Sequence, residues 1–380
     1  MIEAAERYLE LAFRVGKHLA NLVDSYYGPP EIQERVEAEE PREPSALAED
    51  AARIREDADS RWLKAQLTAL ETAARKLAGE DISYQDEIER YYGIPAEWIP
   101  EERFEDAHRK LEEALPGNGP LAERYQAWRE GDTLSGEPLT RVVESLAADV
   151  RRRTEERFGL PDGESVAWEF VDDEPWAAYN HYLGDLRSRV EVNTDTPLNP
   201  TFLVHVVAHE TYPGHHTEHA WKEHLLVREQ GRIEETLALN CSPQSVVAEG
   251  IAELSLEMAF GDEEHEVTAE HVAGTGTAYD PDVSRAVKEA TQDLNVAGNV
   301  ARMIHADGRS NDEARDYLMR WALTSEKRTD QALRFIADPL WRSYSITYSE
   351  GYRICRVWVD GDPDRFKRLL TEQLTTADLL

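Results

Sequence analysis

Apolar residues recur at the spacing of one helical face along most of this chain. The pattern is clear over residues 2–23, 47–77 and 139–157, and it returns over residues 283–374. Such spacing is typical of amphipathic helices that bury one side. Proline and glycine interrupt it at residues 28–30, 93–95, 116–120, 160–163 and 360–363, where turns are expected. The sequence therefore predicts a mainly α fold.

One stretch alternates polar and apolar residues as a half-buried strand does. It covers residues 188–193 and ends in the turn-forming residues 194–197. We expect it to form a small β element and to pair with an extended peptide along its edge. Asn199 and Pro200 follow it, the residue types preferred at a helix cap and at the first helical position. They predict a helix that carries His209 and Glu210.

The net charge of the chain argues against one class of binding partner. The chain has 76 acidic and 42 basic residues, a formal net charge of -34, and the acids are spread over its whole length. This distribution argues against a nucleic-acid-binding surface. Arginine carries nearly all the positive charge, and scattered acid with little lysine indicates a halophilic protein of a high-salt cytoplasm, where self-repulsion is screened. The alternative is an ordinary acidic protein.

The first residues and the two cysteines indicate the cellular location and the kind of metal ligand to expect. The first ten residues contain acids and no basic leader region, and no long uncharged apolar window occurs, so we expect a cytoplasmic protein with no membrane partner. Cys241 and Cys355 are too few for a disulfide framework or a thiolate zinc site. Any metal must therefore be bound by imidazole and carboxylate.

Half of the histidines lie close together in the sequence. Six of the twelve occur within twenty residues: His205, His209, His215, His216, His219 and His224. Clustered imidazole indicates a metal site. Residues 209–216 read His-Glu-Thr-Tyr-Pro-Gly-His-His, which is close to the His-Glu-x-x-His helix of zinc peptidases but has proline in place of the second histidine.

A straight helix cannot bring these histidines to one ion. Residue 215 lies about 600° around the helix from residue 209, and residue 216 lies ~10.5 Å along its axis. Pro213 removes a helical hydrogen bond and Gly214 tolerates positive φ. We therefore predict that the helix ends or kinks at residues 212–214. Geometry does not decide between His215 and His216 as the second ligand, and we prefer His215.

A third ligand is expected on the helix that Ser242 and Pro243 begin. Glu249 and Glu253 lie four residues apart on one face of this helix, and Glu249 is the better candidate because Gly250 beside it permits close helix approach. Two imidazoles and one carboxylate, with a fourth position open, form a catalytic zinc set. We therefore predict Zn²⁺ bound by His209, His215 and Glu249. Glu210 points about 100° away from His209 on the helix, so we assign it to proton transfer as the general base.

Other residues near the motif have less specific interpretations. His205 stands four residues before His209 and could be a ligand, but a partly buried core histidine is the favoured reading. We expect His219 and His224 to support the ligands or to be solvated. Glu253 is expected on a solvated helix face, because the chain is acidic throughout.

Residues 207–216, together with Ala248-Glu249-Gly250, resemble the zincin-like domain-of-unknown-function 885 family. The resemblance covers the second half of the chain and implies a fold similar to helical metallopeptidases. The family's glutamate-glycine motif often continues with tryptophan and tyrosine, where this chain has Ile251 and Leu254.

A later pattern of the same family, tyrosine followed three residues on by glycine, matches Tyr348 and Gly351. Tyr348 would then act in catalysis by donating a hydrogen bond to the oxyanion. The alternative is a core tyrosine. For Arg353, a structural ion pair is favoured over a bond to a substrate carboxylate.

Together these features predict a zincin-like metallopeptidase fold with a small β element beside the helix of His209. We expect an N-terminal helical lobe over residues 1–160 and a catalytic half over residues 161–380, or one continuous domain. The expected activity is zinc-dependent hydrolysis of a peptide by activated water. The alternatives are hydrolysis of a small non-peptide amide, and a non-catalytic scaffold that keeps the fold.

Overall fold

The computed structural model describes residues 2–174, 176–292, 294–338 and 341–380, and over these residues the chain is mainly helical, as predicted. The α-helices are Ile2–Gly16 (α1), Pro30–Glu37 (α2), Pro44–Asp57 (α3), Arg61–Leu77 (α4), Tyr84–Tyr92 (α5), Glu101–Ala114 (α6), Leu121–Glu130 (α7), Gly136–Phe158 (α8), Pro200–Glu210 (α9), His215–Lys222 (α10), Pro243–Phe260 (α11), Glu264–Val272 (α12), Pro281–Thr291 (α13), Val296–His305 (α14), Asn311–Ala322 (α15), Glu326–Ile336 (α16), Ile346–Val359 (α17), Pro363–Thr371 (α18) and Thr376–Leu379 (α19). The strands are Val23–Tyr26 (β1), Ser165–Val171 (β2), Ala178–Gly184 (β3), Arg187–Asn193 (β4) and Leu237–Leu239 (β5).

Two of the predicted helices are shorter in the structure. The helix expected over residues 2–23 ends at Gly16, and Val23 belongs to β1. The stretch over residues 47–77 is divided into α3 and α4, because Ser60 caps a new helix by accepting a hydrogen bond from the Leu63 backbone N–H at 2.9 Å. Helical spacing on both sides of such a cap is the same, so periodicity alone does not show the interruption.

The predicted strand is confirmed as β4, but its position in the sheet corrects one expectation. β4 lies in the middle of a three-stranded sheet of order β2-β4-β3, parallel to β2 and antiparallel to β3. Both of its backbone edges are therefore already hydrogen-bonded. The expectation that residues 188–193 pair with a peptide was wrong, and the edges of this sheet are β2 and β3.

A second sheet and the largest core join residues from distant parts of the chain. β1 pairs antiparallel with β5, with Val23 opposite Leu239 and Tyr26 opposite Leu237. The core contains buried side chains from the first hundred residues and from the last hundred and fifty. Among the described residues, no helix is long and apolar enough to cross a membrane.

Helix α11 is buried on nearly all sides, and it packs against α17 at two glycines. A Cβ added to Gly250 would lie 2.4 Å from the Gly351 carbonyl oxygen, and one added to Gly351 would lie 2.3 Å from that of Val246. Real Cβ atoms do not approach backbone so closely, so the two helices are in direct backbone contact. The close approach predicted for Gly250 is confirmed, and its partner is the glycine of the Tyr348 motif.

Candidate metal centre

The helix that carries His209 breaks where it was predicted to break. α9 begins at Pro200, where the Asn199 side-chain oxygen accepts a hydrogen bond from the Phe202 N–H at 2.9 Å, and it ends at Glu210. A separate helix, α10, starts at His215. The chain therefore turns between the two histidine-bearing helices.

Gly214 permits this turn because the chain folds back onto the end of α9. Its backbone N–H donates to the Ala208 carbonyl at 3.2 Å, and a Cβ at this position would lie 1.9 Å from the His209 carbonyl oxygen. No side chain larger than hydrogen fits there. The Tyr212–Pro213 peptide bond is cis. The outcome is that the His215 ring lies 4.8 Å from the His209 ring, at an angle of 85°.

Glu249 completes a group of three potential metal ligands. Its Oε2 atom lies 3.6 Å from His209 Nε2 and 3.9 Å from His215 Nε2, and all three ligand atoms fall within 4.8 Å of one another. Ligand atoms around a tetrahedral zinc with bonds of about 2.0–2.1 Å are about 3.4 Å apart. The structure thus brings together the three residues that the sequence assigned to the metal.

The surroundings of Glu249 fit a cation. The residue is 8% exposed, and its Oε2 atom is buried with no hydrogen-bond partner among the described residues. The Tyr344 hydroxyl lies 3.4 Å from its other oxygen. Burial raises the pKa of Glu249 to about 8, because a buried carboxylate is costly without a positive partner. Two imidazoles and a carboxylate suit zinc.

His216 lies apart from this group. It is fully buried, with Nδ1 2.8 Å from the Ser188 hydroxyl and Nε2 2.9 Å from Glu164 Oε2. Tyr212 donates to the same Glu164 oxygen at 2.5 Å, and Arg151 lies 2.5 Å from the other oxygen. This network holds the turn between α9 and α10 in place. Glu164 was not predicted from the sequence, where its only signal is its place after the turn at residues 160–163.

Glu210 is the last residue of α9 and is tied to the sheet. Its backbone carbonyl accepts a hydrogen bond from the Asn180 side chain on β3 at 2.6 Å. Burial raises the pKa of the Glu210 carboxyl, although attraction to His215 and His205 partly opposes this. A carboxylate with a raised pKa is a stronger base than a solvated one.

Two tyrosines approach the group from the side of α17. The Tyr348 ring lies 6.0 Å from the Tyr344 ring at 85°, and Tyr348 is 42% exposed. The nearby Glu249 carboxylate raises the pKa of the Tyr348 hydroxyl, which therefore keeps its proton at neutral pH. Arg353 donates to Glu350 at 2.9 Å, so the expected ion pair is present. Tyr344 was not found from the sequence.

Glu253 faces histidines and not bulk solvent, which corrects the expectation for this residue. Its Oε1 atom lies 3.5 Å from His209 Nδ1 and 3.7 Å from His205 Nε2. Its side chain is 26% exposed. His205 is thus close to the other side of the His209 ring.

The last two histidines of the cluster lie outside these groups. The His219 ring stacks on Tyr182 with centroids 4.7 Å apart, and burial lowers the pKa of His219 to about 4. His224 lies at the surface, 3.4 Å from Glu229. Neither belongs to a metal-ligand group among the described residues.

An exposed carboxylate on β1 adds negative charge near the candidate centre. The Tyr179 hydroxyl donates to Asp24 Oδ1 at 2.7 Å. The Asp24 charge contributes to the raised pKa of both Glu210 and Glu249. No pattern in the sequence pointed to Asp24, because its approach depends on the pairing of β1 with β5.

Comparison with solved structures finds similarity in fold. No protein-family model and no curated protein matches the sequence. A provisionally assigned lipoprotein from Colwellia psychrerythraea is similar over 88% of this chain and 65% of its own, with a TM-score of 0.55 and 16% identity. One of unknown function from Shewanella oneidensis has a TM-score of 0.49 and 13% identity over 88% and 68%. An M32 carboxypeptidase from Deinococcus radiodurans R1 has a TM-score of 0.37 and 12% identity over 97% and 88%.

The chain spans about two thirds of the length of the two lipoproteins. At these identities the similarity concerns the fold alone. The predicted fold class, mainly α with a small β element beside the helix of His209, is confirmed.

Proposed function

We propose that this protein is a zinc-dependent peptidase with a zincin-like site, in which His209, His215 and Glu249 hold the ion. The observation that carries the proposal is the convergence of their three ligand atoms, at 3.6 and 3.9 Å from the shared Glu249 oxygen. That oxygen is buried and has no hydrogen-bond partner among the residues described.

A zinc ion bound there would supply Lewis acidity toward a carbonyl group and would lower the pKa of a water molecule. Glu210 accepts a proton from the attacking water and returns it to the leaving amine. Its place directly after His209, at the end of the same helix, supports this role. Tyr348 keeps its proton at neutral pH and donates a hydrogen bond to the developing oxyanion.

The edge of β3 that no described strand pairs with supports a peptide as the substrate. Among the strands that the structure describes, β3 is hydrogen-bonded to β4 alone, and its Asn180 side chain is bonded to the backbone of Glu210. An extended peptide added along this edge would pass beside the candidate centre with its backbone hydrogen-bonded. Such pairing distinguishes a peptide from a small amide.

We also propose a family and a cellular location for this protein. The motif at residues 207–216 supports membership of the zincin-like domain-of-unknown-function 885 family. The acidic, lysine-poor composition supports a high-salt cytoplasm as the place of action.

Zinc content and peptide cleavage test the proposal together. The purified protein should contain zinc by elemental analysis and should cleave members of a peptide library. Glu210→Gln keeps the size of the side chain but removes the base, so it should bind zinc nearly normally and lose roughly 10²- to 10⁴-fold in rate. His209→Ala should lose both metal and activity.

Glu257→Gln is the matched control. Glu257 lies on α11 beyond the ligands, 3.8 Å from Arg356 and 43% exposed, so this variant should behave as the parent. Parent-like peptide cleavage by Glu210→Gln would refute the mechanism. Cleavage of small amides alone would indicate an amidase, and a protein that binds no zinc would be a scaffold.

A further inference from the structure

We infer a second metal position on the opposite side of His209, formed by His205 Nε2, His209 Nδ1 and Glu253 Oε1. His209 would then lie between two ions, with one ring nitrogen directed to each. The inference goes beyond the proposed function, which uses only Nε2 of this ring.

The three atoms have the spacing of ligands around a common ion. Glu253 Oε1 lies 3.5 Å from His209 Nδ1 and 3.7 Å from His205 Nε2, and all three lie within 4.8 Å of one another. Zinc ligands are expected about 3.4 Å apart. These distances are as close to the expected spacing as the distances in the group formed with Glu249.

The state of His209 Nδ1 is the second observation. The residue is only 8% exposed, and Nδ1 is buried without a hydrogen-bond partner among the residues described. Hydrogen bonds from nitrogen to oxygen span about 2.7–3.2 Å, so Glu253 at 3.5 Å is too distant to accept one. A buried ring nitrogen without a partner is costly, and an ion bound between it and Glu253 would satisfy it.

The register of two helices explains why the groups are adjacent. His205 and His209 are four residues apart on one face of α9, and Glu249 and Glu253 are four apart on one face of α11. His209 faces both glutamates, while His205 faces Glu253. One helix pair therefore presents two successive histidine–glutamate groups.

Binding at both positions requires a chemical change in His209. An imidazole that binds metal through both nitrogens must release its ring proton to solvent, so loading of the second position should release protons. The second position is more open than the first, with His205 30% and Glu253 26% exposed. We therefore expect it to bind more weakly than the first and to exchange its ion faster.

Metal stoichiometry of the full-length protein is the test. The metal-free protein is titrated with zinc, and bound ions are counted by native mass spectrometry and elemental analysis. We expect about two zinc ions per chain for the parent and for the Glu257→Gln control, and about one for His205→Gln and for Glu253→Gln. His215→Ala should keep one ion, and circular dichroism verifies that each variant is folded.

A spectroscopic measurement distinguishes a bridge from two separate sites. In the copper(II)-loaded parent, an imidazole ring bound at both nitrogens couples the two unpaired spins and reduces the electron paramagnetic resonance signal per copper. Glu253→Gln should restore the signal of a single uncoupled copper.

Two results would overturn the inference. One is saturation of the parent at a single ion. The other is an unchanged stoichiometry in the His205 and Glu253 variants with only a 10- to 100-fold weaker affinity, about the effect of losing a side chain that orients a ligand. Two bound ions without peptide cleavage would refute the proposed function and leave this inference intact.

Discussion

Replacing Gly250 by alanine should separate two helices and disturb the candidate centre. The added methyl group would lie 2.4 Å from the Gly351 carbonyl oxygen and 2.5 Å from Cys355 Sγ. The sulfur could move by rotation of its side chain, but the carbonyl belongs to the backbone of α17. The two helices must therefore move apart.

The size of the effect follows from these distances. Relief of the contact from 2.4 Å to an ordinary separation of about 3.4 Å requires a shift of about 1 Å. Overpacking of this kind costs about 1–3 kcal/mol, and the better helix propensity of alanine returns up to about 1 kcal/mol. We expect a net loss of about 1–2 kcal/mol in the free energy of unfolding.

The Gly250→Ala change should also reduce the rate of catalysis, and by a larger factor than its small loss of stability suggests. Glu249 precedes Gly250 on α11, and Tyr348 lies on α17, so the shift changes the distance between them. A misplacement of about 1 Å can reduce the rate of catalysis about 100-fold. Urea unfolding measures the first effect, and kcat and KM on a cleaved peptide measure the second.

The control is Gly16→Ala at the end of α1. A Cβ on Gly16 meets only a Val23 methyl group at 3.9 Å, so this variant should be as stable as the parent or slightly more stable. The double variant with Gly351→Ala should lose less than the sum of the single losses, because one separation relieves both contacts. A Gly250→Ala protein with the stability and activity of the parent would refute the argument.

Three further predictions concern the turn, acid and salt. Glu164→Gln removes the charge between His216 and Arg151, so it should lower the free energy of unfolding in urea by about 1–3 kcal/mol and weaken zinc binding. Unchanged values of both would show that the network does not hold the turn. The pKa of His219 is lowered to about 4, so the unfolded chain takes up a proton at higher pH than the folded one. The free energy of unfolding should therefore be highest above pH ~6.5 and fall by about 1–3 kcal/mol as the pH drops to ~4. His219→Gln should flatten this part of the plot of stability against pH, and an unchanged plot would contradict the assignment. The net charge of -34 should make the melting temperature rise from low to molar salt, and a flat or falling value would count against a halophilic protein.

The local part of the site could be predicted from the sequence. The cap at Asn199, the break at residues 212–214 and the glycine beside Glu249 each depend on a backbone property of one residue type. They were sufficient to select His209 and Glu249 but not to decide between His215 and His216, and the preferred His215 is the one that the structure brings to the group.

The remaining residues of the site depend on contacts between segments far apart in the chain. Glu164 meets His216 across 52 positions, and Tyr344 reaches Glu249 across 95. β2 has no buried position and β3 is half-buried at its first four residues, whereas β4 alternates with buried residues over most of its length. Periodicity reports which face a residue occupies within its own element, but it does not report which element lies opposite.

The pairing of β1 with β5 has a consequence for synthesis on the ribosome. β1 is made about two hundred residues before its partner strand at Leu237–Leu239, and the core around α1 also needs side chains such as Phe366 and Leu369. Contacts of such long sequence separation form slowly. Part of the apolar surface of α1 therefore stays uncovered until residues 366–369 have been translated, which makes the nascent chain a candidate for chaperone binding.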